Sequence, residues 1–380
     1  MAERPLRASL YVQHLLGIGH LARTFRIADA LVVDGWDVEV LVGGALPAGF
    51  ATGRARIVAL PPVRAAAGGL SRLVHPDGRP FEAADQAARR DALLAHVVRH
   101  RPDALLIEAF PFGRRQMRFE LIPLLEAVRA WAVPPRVAAS VRDILQENHR
   151  PERVSETVAT IARFVDSVLV HGDPALARLG DSFPGADAFA DKIAYTGLVA
   201  PPRPTPVPMA DRYDVVVSVG GGAVGASVLR TAIEARARSA AADARWLVLA
   251  GPNASSDTTE LAGPGVTVAR MVPDLAAMLA TARLSISQAG YNTVADILVA
   301  GCRAVLVPYA EDGETEQTVR ATMMARHGRA IMVPERDLGA ETLATAIDAA
   351  LEAATPALNA DLAGAPATAS LLRRMVRPQG

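Results

Sequence analysis

Apolar positions along the chain keep two alternating rhythms, short strand-like runs and longer stretches at helical spacing, with glycine or proline at most exchanges. Leu6 to Gln13 alternates apolar and polar and predicts a first strand. Leu21, Phe25, Ala28, Leu31 and Val32 then recur at helical spacing, and Val38 to Val42 is the next strand, so the chain opens on a βαβ unit. Residues 61–92 are rich in Pro, Gly and Ala and then charged, and read as a variable excursion that runs into a helix over Ala83 to His100. Strands follow at Ala104–Ile107, Arg136–Val141, Ser167–Val170 and Ile193–Thr196, with an apolar helix over Leu121–Val128.

The rhythm stops at residues 199–208, where prolines stand at 201, 202, 204, 206 and 208. Such a run continues neither a helix nor a central strand and makes a stiff connector. Beyond it, Tyr213 to Val219 is a β-branched run of the kind buried on both faces of a parallel sheet. A helix over Ala226–Ala235, strands at Trp246–Ala250 and from Val266, and a helix from Leu275 come next. Leu284 to Ser287 is a strand that ends at Gln288-Ala289-Gly290, where Asn292 and Thr293 offer caps to a helix carrying Val294, Ile297 and Leu298. Gly301 closes that helix, Ala304–Val307 is a strand ended by Pro308, and another helix opens within Glu311–Gln317. A last strand, Ala330–Val333, and a helix over Glu341–Ala353 precede an alanine-rich tail. The pattern predicts an α/β chain of two Rossmann-like lobes with parallel sheets facing an interdomain cleft. The expected divisions are an N-terminal lobe over 1–198, a linker over 199–210, a C-terminal lobe over 211–360, and a tail over 361–380 that crosses back to the first lobe.

Several stretches carry chemistry. Gly220, Gly221 and Gly222 follow a buried strand and precede a helix, where backbone amides can approach a phosphate closely. No Gly-Lys-Ser/Thr ending follows, which disfavours a P-loop hydrolase. The turn Gln288-Ala289-Gly290 and the helix start at Tyr291, Asn292 and Thr293 make a second anion site through unpaired N–H groups and the helix dipole. Asp296 is placed to accept from a sugar or ribose hydroxyl, and Glu316 and Gln317 reach the same crevice from the next helix. An ordinary βαβ unit with a capped helix would give the same spacing.

In the first lobe, Gly17-x-Gly19-His20 lies between strand and helix without a third glycine at fingerprint spacing, which argues against a dinucleotide enzyme. An imidazole there suits deprotonation of a sugar hydroxyl, and equally suits a plain helix start. Glu108 ends a strand, at the edge where open parallel sheets bind ligands, and is a second candidate base. Arg114, with Arg115 and Arg118, is able to grip an acceptor phosphate, or else forms a solvated basic helix start. Phe110, Phe112 and Phe119 beside them permit a membrane-surface patch.

Composition narrows the classes. Forty basic and forty acidic residues leave no net attraction to nucleic acid. A single cysteine, Cys302, excludes an internal disulfide. No apolar run reaches a membrane span and no signal-like segment opens the chain, so the expected location is the cytoplasm, at most peripheral to the inner face of the membrane.

The stretches Ser287-Gln288-Ala289-Gly290, Thr293-Val294-Ala295-Asp296, Ala304–Pro308, Glu316-Gln317 and Arg320-Ala321 resemble the C-terminal domain of family-28 glycosyltransferases. Asp296 replaces the usual glutamate and Tyr291-Asn292 the usual less polar pair, as in a separate bacterial branch. The loop ending in His20 is similar to the acceptor loop of two-Rossmann glycosyltransferases, some of which use that histidine as general base. The resemblance implies that Gly17, Gly19, Arg142 and Asp143 line the acceptor side, that Asp296 binds ribose, and that Gln317 touches the donor sugar. It also implies that Arg270, Met271 and Val272 meet the base through the backbone, in a manner that suits uracil. The function it implies is inverting, metal-independent transfer of a hexosyl group from a nucleotide diphosphate sugar, with UDP expected, to an unidentified acceptor such as a lipid-linked or polysaccharide precursor. No Asp-x-Asp pair occurs in the chain, and neither a cofactor nor a metal site is expected. Hydrolysis of a nucleotide sugar and non-catalytic binding of one are the alternative readings.

Overall fold

The structure is a computed structural model and describes residues 4–15, 19–47, 50–66, 69–146, 150–220, 225–251, 256–354 and 360–377. The chain forms two compact units, Met1–Val199 with Ala363–Gly380, and Ala200–Leu362. The division falls inside the proline-rich run.

The first unit contains β1 (Arg7–Val12), α1 (Gly19–Val33), β2 (Asp37–Val42), β3 (Arg56–Ala59), β4 (Arg64–Ala66), β5 (Gly69–Val74), α2 (Ala83–His100) and β6 (Ala104–Glu108). It continues through α3 (Arg118–Arg129), β7 (Arg136–Arg142), α4 (Pro151–Phe164), β8 (Ser167–His171) and β9 (Ile193–Tyr195). Seven strands form a parallel sheet in the order β3-β2-β1-β6-β7-β8-β9. The excursion over 61–92 contains structure that its composition hid, an antiparallel β4–β5 hairpin. Leu10, Val12, Val40 and Leu106 face one apolar layer with α1, while Tyr11, Leu41, Leu105 and Ile107 face another with Leu93 of α2 and Leu121 of α3. Strands covered on both faces need apolar residues at successive positions, which is why these read as continuous runs.

The second unit contains β10 (Val215–Ser218), α5 (Ala226–Arg236), β11 (Trp246–Leu249), β12 (Val266–Ala269), α6 (Leu275–Leu279), β13 (Leu284–Ser287) and α7 (Tyr291–Ala300). Then come β14 (Ala304–Leu306), α8 (Glu316–Arg326), β15 (Ile331–Met332) and α9 (Ala340–Glu352). Its six-stranded sheet runs β12-β11-β10-β13-β14-β15, again all parallel. The tail helix α10 (Gly364–Val376) belongs to the first unit, where Ala365, Ala369 and Leu372 join the α1 layer. Gly364 is required there: a Cβ would come within 2.5 Å of the Gly197 carbonyl oxygen.

Each sheet is wound outward from its first strand in both directions. The order reverses between β1 and β6 in one unit and between β10 and β13 in the other. Carboxyl ends of strands at such a reversal are where open α/β sheets hold ligands.

Candidate active site

At the reversal in the first unit, α1 begins just after β1 and presents His20, while β6 ends on Glu108. His20 Nδ1 lies 2.8 Å from Glu108 Oε1. The Arg23 guanidinium, one turn along α1, pairs with the same oxygen. On the other side, the Ser140 hydroxyl of β7 donates to Glu108 Oε2 at 2.6 Å. Arg23 and Glu108 are each only 2% exposed, so the ion pair is desolvated and geometrically committed.

Burial raises the Glu108 carboxyl, but Arg23, His20 and Ser140 oppose it and hold the acid well below the carboxylate range. Burial likewise pushes His20 down to about 4, reinforced by Arg114 and Arg23 and opposed by Glu108. His20 is therefore neutral near pH 7. With Glu108 ionised, the shared proton resides on Nδ1 and the lone pair on Nε2. The 3.3 Å approach of Arg23 Nη2 to His20 Nδ1 follows from both groups donating to one oxygen.

His20 and Arg23 line a cavity of about 140 Å3 together with Phe112, Arg114, Arg142 and Phe183. The loop after β6 turns through left-handed backbone at Ala109 and Arg114, conformations that side chains seldom adopt. It directs Arg114 inward, where its Nε donates to the Gln13 carbonyl at 2.7 Å. Burial and the neighbouring Arg142 and Arg23 lower the Arg114 pKa, so the cavity wall gathers cationic side chains.

Three expectations for this unit need correction. Arg115 and Arg118 turn away and pair with Glu156, so Arg114 alone of that run reaches the cavity. Asp143 does not line it. Its Oδ1 accepts from the following backbone N–H at 2.8 Å, and its side chain packs where a Cβ on Gly172 would stand. The phenylalanines are not an exposed patch: Phe110 is buried, Phe112 packs on Phe183 with centroids 5.1 Å apart, and Phe119 packs on Phe81 at 6.2 Å. Gly19 opens α1, whereas Gly17 lies outside the described residues.

The second reversal is built from amides. The Gly220 N–H donates to Gln288 Oε1 at 3.1 Å, joining the end of β10 to the end of β13. The Gln317 carboxamide oxygen accepts from Ala289 N at 3.0 Å and from Tyr309 N at 3.3 Å. Arg320 donates to the Ala289 carbonyl at 2.9 Å, is held by Glu316 at 2.8 Å, and lies over the Tyr291 ring. Glu316 is buried and paired with Arg320. Asn292 and Thr293 do not cap α7. Gly290 takes the cap position with no side-chain bond, leaving both residues in the first turn. Asp296 is one turn further, mostly buried. Arg270, Met271 and Val272 follow β12 in a loop where Met271 is exposed, and the Arg270 carbonyl accepts from Gly251. Gly221 and Gly222 lie outside the described residues.

The profile of the glycosyltransferase family 28 C-terminal domain matches residues 216–370, which contain this second reversal. That match assigns this stretch to the domain family. It covers residues 216–370 of 380, under half of the chain. A relative from Synechococcus elongatus, named UDP-N-acetylglucosamine–N-acetylmuramyl-(pentapeptide) pyrophosphoryl-undecaprenol N-acetylglucosamine transferase, is 26% identical over 242 residues. The alignment spans 63% of this chain and 66% of that protein, just under two thirds of its length. MurG of Acinetobacter baumannii superposes with a TM-score of 0.56 at 18% identity, covering 98% of this chain and 100% of that one. LpCGTa, solved in complex with UDP, gives 0.60 at 16% identity over 98% and 94%. The architecture of the chain is accordingly the GT-B fold. Among the described residues no helix is long and apolar enough to cross a membrane.

Arg23, Ser140 and His171 escaped the sequence reading as site residues. None of the three carries a local signal in the sequence. Ser140 meets Glu108, and His171 meets Ser140, because β7 and β8 follow β6 in the sheet.

Proposed function

We propose that the chain is an inverting, metal-independent glycosyltransferase that moves a hexosyl group from a nucleotide diphosphate sugar, with UDP as the nucleotide, to an acceptor hydroxyl. The observation that carries this reading is the pairing of buried Glu108 with His20 at the wall of a cationic cavity. A neutral imidazole with its proton on Nδ1 offers Nε2 to an acceptor hydroxyl. As the hydroxyl attacks the anomeric carbon, Nε2 takes the proton, and Glu108 stabilises the resulting imidazolium. Glu108 is the orienting group and His20 the base, because both Glu108 oxygens already accept hydrogen bonds. Arg114 and Arg142 are suited to an anionic group on the acceptor, such as the phosphate of a lipid-linked precursor.

The donor diphosphate is assigned to the second unit, at the Gly220 strand end and the N-terminus of α7, where backbone amides and the helix dipole stabilise leaving charge. Asp296 serves the ribose and Gln317 the sugar. UDP in the related LpCGTa complex and the UDP-sugar in the Synechococcus relative's name support the choice of nucleotide.

The test is thermal melting with UDP, GDP, TDP, NAD and ATP, each alone. UDP should raise the midpoint by mass action, and Asp296→Ala should abolish the rise. A response to NAD alone, or to no diphosphate, would overturn the proposal. A response to GDP or TDP would keep the chemistry and replace the nucleotide.

A further inference from the structure

We propose that Ser140 and His171 are positioning residues for His20. With Thr196 they form a one-directional relay of hydrogen bonds that holds Glu108 as an acceptor and thereby fixes the His20 proton on Nδ1. The purpose of the relay rests on the reading of His20 as the base.

The direction follows from what each group is able to give. The Glu108 carboxylate only accepts, so the single Ser140 hydroxyl proton points at Oε2, 2.6 Å away. Ser140 Oγ is then an acceptor towards His171, whose Nε2 lies 2.8 Å away and must carry a proton. His171 is fully buried; burial and the charge on Arg23 push it down to about 3, with Glu108 opposing, so it carries one proton only. Its Nδ1 is consequently bare, and the Thr196 hydroxyl at 2.9 Å supplies the donor. Thr196 has two other acceptors within reach, the Gly197 carbonyl at 2.9 Å and the Val170 carbonyl at 3.4 Å. Donation to either would leave a buried imidazole nitrogen unpaired, at a full desolvation cost.

Every proton along this line therefore points towards Glu108, as do those of Arg23 and His20. An apolar residue would fill the sheet interior at His171 and Ser140 equally well, and packing alone gives no reason for a polar line running from Thr196 to the cavity. The charged groups that face the two histidines are Glu108, Arg23, Arg114 and Arg142 around His20, and Arg23 and Glu108 around His171.

The test reads the imidazole directly. Long-range 1H–15N spectra of the labelled full chain, with His20 assigned by its loss in His20→Gln, report tautomer and titration without any substrate. In the wild type, His20 should be a single Nδ1–H tautomer, neutral from pH 8 down to about 5.5. In Ser140→Ala, Glu108 loses a donor and leans harder on the imidazolium, so the His20 midpoint should rise by about half to one unit. His171→Phe should act in the same direction. Ser140→Thr and His171→Gln keep a hydroxyl and an N–H in place and should restore the wild-type titration. Should Ser140→Ala fail to fold, Thr196→Val removes the last donor and carries the same test. An unchanged His20 tautomer and midpoint in Ser140→Ala and His171→Phe would overturn the relay. If instead both move, and His20→Ala leaves UDP release from UDP-N-acetylglucosamine unchanged, the relay stands and the base assignment falls.

Discussion

The two sheets share one winding rule and make opposite use of it. At the β1–β6 reversal ionisable side chains gather, with Arg23 and Glu108 packed away from water and His20 partly exposed at the cavity wall. At the β10–β13 reversal the corresponding positions are Gly220, Gln288 and Ala289, joined by amide hydrogen bonds, and the nearest ion pair, Glu316–Arg320, stands behind the turn. Proton transfer needs a group whose pKa the interior can move, and desolvation provides that only for side chains. Holding a diphosphate needs close approach and N–H donors, which the backbone supplies best where side chains are small. One topology therefore yields a site built on ionisable side chains and one built largely on amides, according to which residues end the strands.

Breaking the first site should have the largest effect. His20→Ala should lower transfer by about 10²- to 10⁴-fold, the usual contribution of a positioned base, while the UDP-induced rise in melting temperature is unchanged. Glu108→Gln should cost about as much. Its carboxamide is able to present an N–H2 group to His20 Nδ1 and so stabilise the wrong tautomer, and it leaves Arg23 buried without its anion. Because the two residues act as one unit, the double variant should lose little beyond either single one. Additive losses would separate them and break the contrast between the units.

The second site should fail in a different manner. Arg320 is fully buried between Glu316 and the Ala289 carbonyl. Arg320→Met should destabilise the protein by about 3–5 kcal/mol, since it strands a buried carboxylate. Denaturant unfolding measures that loss. Gln317→Ala should be milder in stability, removing the acceptor that ties Ala289 to Tyr309, and should reduce the UDP response in the melting assay.

Acidification distinguishes the units without mutation. His20 and His171 are held at about 4 and about 3 in the folded state, against an ordinary 6.5. Below pH 6.5 the unfolded chain therefore binds protons that the folded chain refuses, and stability falls as pH falls from 6.5 towards 3. Glu108, depressed by Arg23 and its hydrogen-bond donors, adds a loss of the same sign below its ordinary value of 4.5. Melting temperature against pH should decline by an amount worth a few kcal/mol across this window. His171→Gln should flatten the curve above pH 4, and an identical curve would mean that His171 titrates normally.

How much of this was legible in the sequence follows the same division. Continuous runs such as Tyr213–Val219 announced buried parallel strands, and the prolines from 201 to 208 marked the boundary between units. His20 and Glu108 could be proposed because they sit where a strand meets a loop. Their joining, and the recruitment of Ser140, His171 and Thr196, depend on strands that are neighbours in the sheet and distant in the chain. No local period encodes such a meeting. The β4–β5 hairpin was hidden for a related reason, since its short strands are too mixed in composition to alternate clearly. Asn292 and Thr293 misled because good capping residues one turn late look like caps until the helix start at Tyr291 is known.

The smallest predicted effect sharpens the contrast most. The second unit does bury a titratable side chain, Cys302, close to the amino-terminal end of β14 and away from the turn at Gly290. Burial pushes its thiol up to about 12, with Arg329 and Arg303 only partly offsetting this. Nucleophilic reaction requires the thiolate, so at pH 8 the folded protein should resist iodoacetamide and react at a normal rate only once unfolded. Mass spectrometry of labelled native and denatured samples measures the ratio. Cys302→Ser should leave both UDP binding and transfer within about twofold of wild type, because no step assigned to the second unit uses a proton. Rapid labelling of the native chain that UDP prevents would put a reactive thiol at the donor side, and the second reversal would then be a titrating site like the first.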